Sequence, residues 1–359
     1  MAEAIGLLGR ALLFWLGVFE LLAGLRRWDG LSWLRSPRQL WPLVAALALS
    51  ALGRGPARPG RLALALGFTA LPAALLQIGV ASLRGGALNP LLRLRPGRHP
   101  RYTIDQLDIP MSVGHLPALH VAPEGRARAA VCVIHGSGCS KTSYAWRLVD
   151  MFTGCGVAVL LIDMDGHGEN PRPQSHPAII ENVGAAVGWL RERYGRVGLL
   201  GISLGGCLAA RGVADGVAVD ALAVLEAPPR LAFDQADIRR EALALARPEL
   251  LDLFGDCTPL NMYRAWDSPP IRAAISTWDL IAALDLPSAL PQISVPLLAL
   301  YGGSDAIVKP AQAEQVRRVL PAHARFHLIP RASHLTLILM PSALEILREW
   351  TEGELVRNA

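Results

Sequence analysis

Val197-Gly198-Leu199-Leu200-Gly201-Ile202-Ser203-Leu204-Gly205-Gly206-Cys207 is the stretch that decides how this chain is read. The apolar run predicts a buried strand over 197–202, and the residues from Leu204 onward predict a helix. The flanking glycines let the backbone turn sharply, so a G-x-S-x-G turn here leaves the Ser203 hydroxyl exposed between strand end and helix start. The helix N-terminus beside it carries partial positive charge, which favours a developing anion. A serine hydroxyl is a poor nucleophile at neutral pH. It needs an adjacent base, and the base needs an acid to orient it.

Reading outward, short apolar runs recur at 129–134, 157–162, 221–225, 295–301 and 325–329, after two β-rich stretches at 102–109 and 116–121. Helical-length segments intervene at 142–153, 178–194, 204–214, 311–320 and 342–351. Continuous apolar strands alternating with helices predict a mostly parallel sheet with helices on both faces. Downstream of Ser203, the run at 295–301 ends in Gly302-Gly303-Ser304-Asp305, and the run at 325–329 is followed by Pro330-Arg331-Ala332-Ser333-His334. Both polar groups fall beyond the carboxyl ends of parallel strands, where ligand sites of open sheets gather. Asp305 is therefore the expected acid and His334 the expected general base.

These motifs resemble the α/β-hydrolase superfamily over about residues 102–355. His135-Gly136-Ser137-Gly138 looks like its oxyanion-loop motif, and Asp163-Met164-Asp165-Gly166-His167-Gly168 looks like its strand-D-x-x-G-H-G turn. The latter departs from the pattern, since Met164-Asp165 replaces the more usual apolar-Arg pair. The resemblance implies an oxyanion hole made by the backbone N–H groups of Ser137 and Leu204. It also implies a cap between the elbow half and the acid strand. Residues 227–294, too long for a bare connection and rich in aromatics, are read as that mostly helical cap.

Rival assignments exist. Glu226, at the end of the 221–225 run, is the main alternative acid, because some family members place theirs after this strand. Asp163 and Asp165 precede the serine and fit the turn better. His135 and His167 read as structural, His323 and His327 as surface or packing residues, and Cys139 and Cys207 as packing groups. The five cysteines are odd in number and show no CxxC pattern, which argues against a disulfide framework or a zinc site.

The first part of the chain differs. Residues 1–101 hold 13 of the arginines against Glu3, Glu20 and Asp29, so the net charge of +5 is concentrated there. Arginines flanking apolar runs point to a membrane rather than to nucleic acid. Residues 62–83 carry no charge over 22 positions, enough to cross a bilayer core. Weaker apolar runs occur at 4–25 and 40–52. Residues 1–83 are accordingly expected to form a membrane-anchoring region of two or three transmembrane helices, and residues 84–101 a juxtamembrane linker. The distribution of arginines places the catalytic half in the cytoplasm by the positive-inside tendency.

The whole predicts an α/β-hydrolase fold preceded by membrane helices. The expected activity is that of a membrane-anchored serine esterase acting on an apolar, lipid-like ester through Ser203, His334 and Asp305. No cofactor, metal or nucleic acid is implied, and the oligomeric state is not readable. An acyltransferase or thioesterase fits the same residues, and a catalytically silent membrane scaffold is the reading from a different class.

Overall fold

The structure, a computed structural model, describes residues 5–12, 14–15, 59–84, 97–98, 101–141, 145–244 and 271–357. The chain divides into two compact units, one containing residues 1–85 and 254–260, the other residues 86–253 and 261–359.

In the first unit, the charge-free run lies within a helix, α1 (Pro59–Arg84), which carries Pro72 inside it. Residues 5–12 and 14–15 are also helical. Ala65 and Thr69 are buried, and the Trp15 indole N–H donates to the Leu66 carbonyl at 2.9 Å. Part of the apolar surface of α1 thus meets protein. Among the described residues, no helix is long and apolar enough to cross a membrane. The 62–83 run thus gives a helix, and the described residues do not support the expectation of transmembrane helices within residues 1–83. The 40–52 run lies outside the described residues.

The second unit is built on a sheet of nine strands among the described residues. They are β1 (Gly97–Arg98), β2 (Tyr102–Pro110), β3 (His115–Pro123), β4 (Ala129–Ile134), β5 (Val157–Ile162), β6 (Arg196–Ile202), β7 (Ala221–Leu225), β8 (Leu297–Gly302) and β9 (Arg325–Ile329). The order is β1-β2-β3-β5-β4-β6-β7-β8-β9. The β1–β2, β2–β3 and β3–β5 pairs are antiparallel, and every pair from β5 to β9 is parallel. Strands β4, β5, β7 and β8 are buried at every residue, which is why they read as unbroken apolar runs rather than alternating ones. Edge strand β9 is mostly exposed or half-buried.

Helices cover both faces. In chain order they include α2 (Ala145–Gly154), α3 (Glu181–Arg191), α4 (Leu204–Ala214), α5 (Gln235–Ala244), α6 (Thr277–Leu284) and α7 (Leu286–Ala289). Two more follow, α8 (Pro310–Val319) and α9 (Pro341–Thr351). Side chains of successive strand residues point to opposite faces, so β4 divides between two cores. Ala130, Cys132 and Ile134 pack with Val183, Ala186 and Leu190 of α3 and with Leu208 of α4. Val131 and Val133 pack with Leu148 and Phe152 of α2 and Leu347 and Trp350 of α9. A sheet held from both sides fixes the loops at the carboxyl ends of β4, β6, β7, β8 and β9. Those loops carry the site.

Candidate active site

Ser203 follows β6 directly and caps α4 with φ 53° and ψ −117°. That backbone conformation is rare for a residue with a side chain and costs about 1–3 kcal/mol, which the surrounding structure must offset. Two glycines make the turn possible. A Cβ on Gly201 would lie 2.2 Å from the Gly205 carbonyl oxygen, and one on Gly205 would lie 2.4 Å from that of Ile134. The turn is pinned further by the Ser203 N–H, which donates to Leu225 on the neighbouring strand at 2.8 Å. The Ser203 side chain therefore projects from a rigid corner.

His334 and Asp305 reach that corner from the two loops beyond it. His334 Nε2 lies 3.1 Å from Ser203 Oγ, and His334 Nδ1 lies 2.8 Å from Asp305 Oδ2. The second oxygen of Asp305 accepts the N–H groups of Ile307 and Val308, each at 2.7 Å. The carboxylate is thus satisfied on both sides and fixed in direction. The two loops are laced together, with Gly303 N–H donating to Ile329 and Ser304 N–H to Ala332, both at 2.8 Å. Burial opposes charge on His334, yet the Asp305 carboxylate and its hydrogen bond, with Glu241 adding, outweigh that cost and hold the imidazole above its ordinary pKa of 6.5.

The rival acid is close but differently placed. Glu226 follows β7, has φ 51° and is 1% exposed. Its Oε2 is 3.9 Å from His334 Nδ1, beyond hydrogen-bond reach. Its Oε1 is buried without a hydrogen-bond partner among the described residues. Burial first, then the carboxylates of Asp305 and Glu241, push its pKa well above the ordinary carboxylate range. Among the described residues, Glu226, Asp305 and His334 are the one group of His, Cys and carboxylate donors close enough to share a metal ion. Of the ring nitrogens of His334, Nδ1 faces Asp305 and Nε2 faces Ser203.

The loop after β4 forms the other wall. Gly136 lies against Ser203, where an added Cβ would sit 3.4 Å from the serine Cβ. Ser137 follows it, and its Oγ is 3.3 Å from Thr277 Oγ1 at the start of α6. Leu204 opens α4, whose first N–H groups have no intrahelical acceptor. His135 holds the loop from beneath: its Nδ1 bonds the Gly136 carbonyl at 2.8 Å, and its Nε2 accepts the Met164 N–H at 3.3 Å. Burial, with the neighbouring His167, lowers the His135 pKa to about 4, so it stays neutral. His167 is likewise buried, with Nδ1 on the Asp165 carbonyl at 3.0 Å.

Asp163 ties this wall to the turn after β5. It accepts from Lys141 Nζ and from the Lys141 N–H, both at 2.6 Å, and from the Glu169 N–H at 2.9 Å. Gly168 makes room for it, since a Cβ there would lie 2.3 Å from the Asp163 carboxyl carbon. Asp165, which stands where the resemblance leads one to expect arginine, pairs with Arg172 Nε at 2.8 Å and with Asn182 Nδ2 at 3.0 Å. The guanidinium is thus supplied from seven residues downstream. His323 and His327 lie away from this cluster, the former bonded to the Val295 carbonyl at 3.0 Å. Cys139 is buried, and Cys207 is buried with its thiol pKa pushed up by burial, which leaves it unreactive.

Two residues were not singled out from sequence. Lys141, buried in the loop after β4, has no local signal apart from its position after the His135–Gly138 motif. Glu241 of α5 accepts the N–H of Ala306 at 2.6 Å and that of Leu335 at 3.2 Å. It stands in a charged stretch, Arg239-Arg240-Glu241, that reads as a solvated helix face.

A family model described as the alpha/beta hydrolase family matches residues 130–346. The chain belongs to the alpha/beta hydrolase family. Within it, the chain is 31% identical over 75 residues to a pimeloyl-[acyl-carrier protein] methyl ester esterase from Vibrio vulnificus, a match covering 21% of this chain and 29% of that protein. Solved structures share the fold at low identity. An esterase from Pyrococcus furiosus matches with a TM-score of 0.52 at 17% identity, over 70% of this chain and 91% of that one. An esterase from Exiguobacterium antarcticum matches with a TM-score of 0.51 at 19% identity, over 69% of this chain and all (100%) of that one.

Proposed function

We propose that this family member is a serine hydrolase of carboxylic esters, with Ser203 as nucleophile, His334 as general base and Asp305 as the carboxylate that orients the imidazole. The observation that carries the reading is one continuous line of contacts, Ser203 Oγ to His334 Nε2 at 3.1 Å and His334 Nδ1 to Asp305 Oδ2 at 2.8 Å. His334 takes the hydroxyl proton as Ser203 Oγ bonds to the ester carbonyl carbon, and the carbonyl electron pair moves onto oxygen. The N–H groups of Leu204 and Ser137 receive that oxyanion. When it collapses, the bond to the alcohol breaks and His334 returns its proton to the leaving oxygen. Water then attacks the acyl-serine with His334 again as base, releasing the acid and restoring Ser203.

The proposed substrate is an apolar ester, and residues 227–294 are its proposed helical cap. Thr277 touches the Ser137 loop, and the next residue, Trp278, is half exposed and packs against Phe233 with ring centroids 5.1 Å apart. An aromatic pair on the proposed cap beside the oxyanion loop supports an apolar acyl or alcohol group. The reading needs no membrane, and the cytoplasmic placement of the catalytic half rests on the arginine distribution alone.

The test is turnover of a panel of short- and long-chain esters and thioesters by wild type and Ser203→Ala, with and without acceptor alcohols and amines. Ester hydrolysis lost in Ser203→Ala supports the reading. Turnover that requires an acceptor moves it to acyl transfer, and preference for thioesters moves it to thioester cleavage.

A further inference from the structure

The line from Ser203 to Asp305 depends on two loops that leave different strands, β8 and β9. Their facing backbones are joined on one side by the Gly303–Ile329 and Ser304–Ala332 hydrogen bonds. On the other side stands Glu241, 2% exposed, on α5. Its two oxygens take one N–H from each loop, and the choice of donors is specific. Ala306 directly follows Asp305, and Leu335 directly follows His334.

A carboxylate is an acceptor-only group, so it matches two N–H donors as an amide or hydroxyl would not. The helix that carries it is itself fixed to the acid side. Lys309 Nζ lies 3.0 Å from Asp237 of α5, and Gln312 Nε2 donates at 2.8 Å to the carbonyl of Arg230, in the segment that leads into α5. We propose that Glu241 is a positioning residue: it clamps the residue after Asp305 to the residue after His334, and so makes α5 part of the catalytic scaffold. The inference rests on the assignment of Ser203, His334 and Asp305 above. It means that α5, within the proposed cap, does more than cover the site. Undocking of α5 would release Ala306 and Leu335 together and misalign acid and base at once.

The groups that face His334 are Asp305 from the loop after β8, Glu226 from the end of β7, Glu241 from α5 and the Ser203 hydroxyl. Removing the charge of Glu241 therefore takes away one of the influences that favour imidazolium.

The test uses the full chain with Glu241→Gln, Glu241→Ala and, as a control on the exposed face of the same helix, Arg239→Gln. Displacing a catalytic pair by a fraction of an ångström to an ångström costs up to about 100-fold in rate. We expect kcat to fall about 10-fold in Glu241→Gln and about 100-fold in Glu241→Ala. KM should stay within about threefold, and the acid limb of the pH profile should move to lower pH; Arg239→Gln should match wild type. A folded Glu241→Gln with wild-type kcat and an unmoved acid limb overturns the proposal. If Glu241→Ala does not fold, Glu241→Gln decides, read also by NMR titration of the His334 ring. A lowered His334 pKa with a shifted Nδ1–H resonance supports the clamp, and an unchanged titration overturns it. That spectroscopic readout needs no substrate, so it separates failure of the clamp from failure of the esterase reading.

Discussion

His334 Nδ1 is 2.8 Å from Asp305 Oδ2, while the nearest oxygen of Glu226 is 3.9 Å away. Two buried carboxyl groups thus lie near one imidazole nitrogen, and only that of Asp305 is within hydrogen-bond reach. Asp305→Asn should lower kcat by about 10⁴-fold, because the amide disturbs the tautomer and orientation of the base. Glu226→Gln keeps the shape of a side chain that lies beyond hydrogen-bond reach of His334, and should change kcat by less than about threefold and stability by less than about 1 kcal/mol. Ester kinetics and urea unfolding of both variants check this. A large loss in Glu226→Gln with little in Asp305→Asn would exchange the two assignments.

The raised pKa of His334 sets the pH dependence. The base must be neutral to accept the serine proton, so kcat/KM should rise with pH through the His334 pKa. Since burial is outweighed by the Asp305 carboxylate and its hydrogen bond, the midpoint should lie above 6.5. Asp305→Asn removes the leading favourable influence and should move it down. A midpoint below 6.5 in wild type would contradict the electrostatic account.

Lys141 and Asp163 form a buried ion pair beside the loop after β4, with side chains 7% and 1% exposed. Burial alone would lower the Lys141 pKa, but Asp163 and then Glu169 raise it above the ordinary value. Removing one partner strands the other, so Lys141→Ala should destabilise the fold by about 3 kcal/mol. Equilibrium unfolding in urea measures it. Because Lys141 also anchors the loop carrying Ser137, rate should fall while the folded fraction is still complete. A loss of stability below about 0.5 kcal/mol would show that the pair contributes only as an exposed one does.

Much of this was legible in the sequence, for a physical reason. Strands β4, β5, β7 and β8 are covered on both faces, so every residue must be apolar and the runs stand out. Ser203 directly follows β6, Asp305 lies three residues beyond β8 and His334 five beyond β9, so strand ends locate them. Glu241 was not legible: its partners are 65 and 94 residues away, and nothing in a charged helix marks which carboxylate turns inward. The pairing of Asp165 with Arg172 was hidden in the same way, since the departure from the usual turn is offset by a residue in the following loop. The run at 62–83 gave a helix, but apolarity alone left its surroundings open.

The account's central claim is that Ser203 is the activated nucleophile, and the most direct measurement is covalent labelling with a fluorophosphonate followed by peptide mass spectrometry. It predicts one adduct per chain, on the peptide containing Ser203, forming about 10³-fold or more slower in His334→Ala and absent in Ser203→Ala. A folded wild type that does not label, or labels equally after Ser203→Ala, would contradict it.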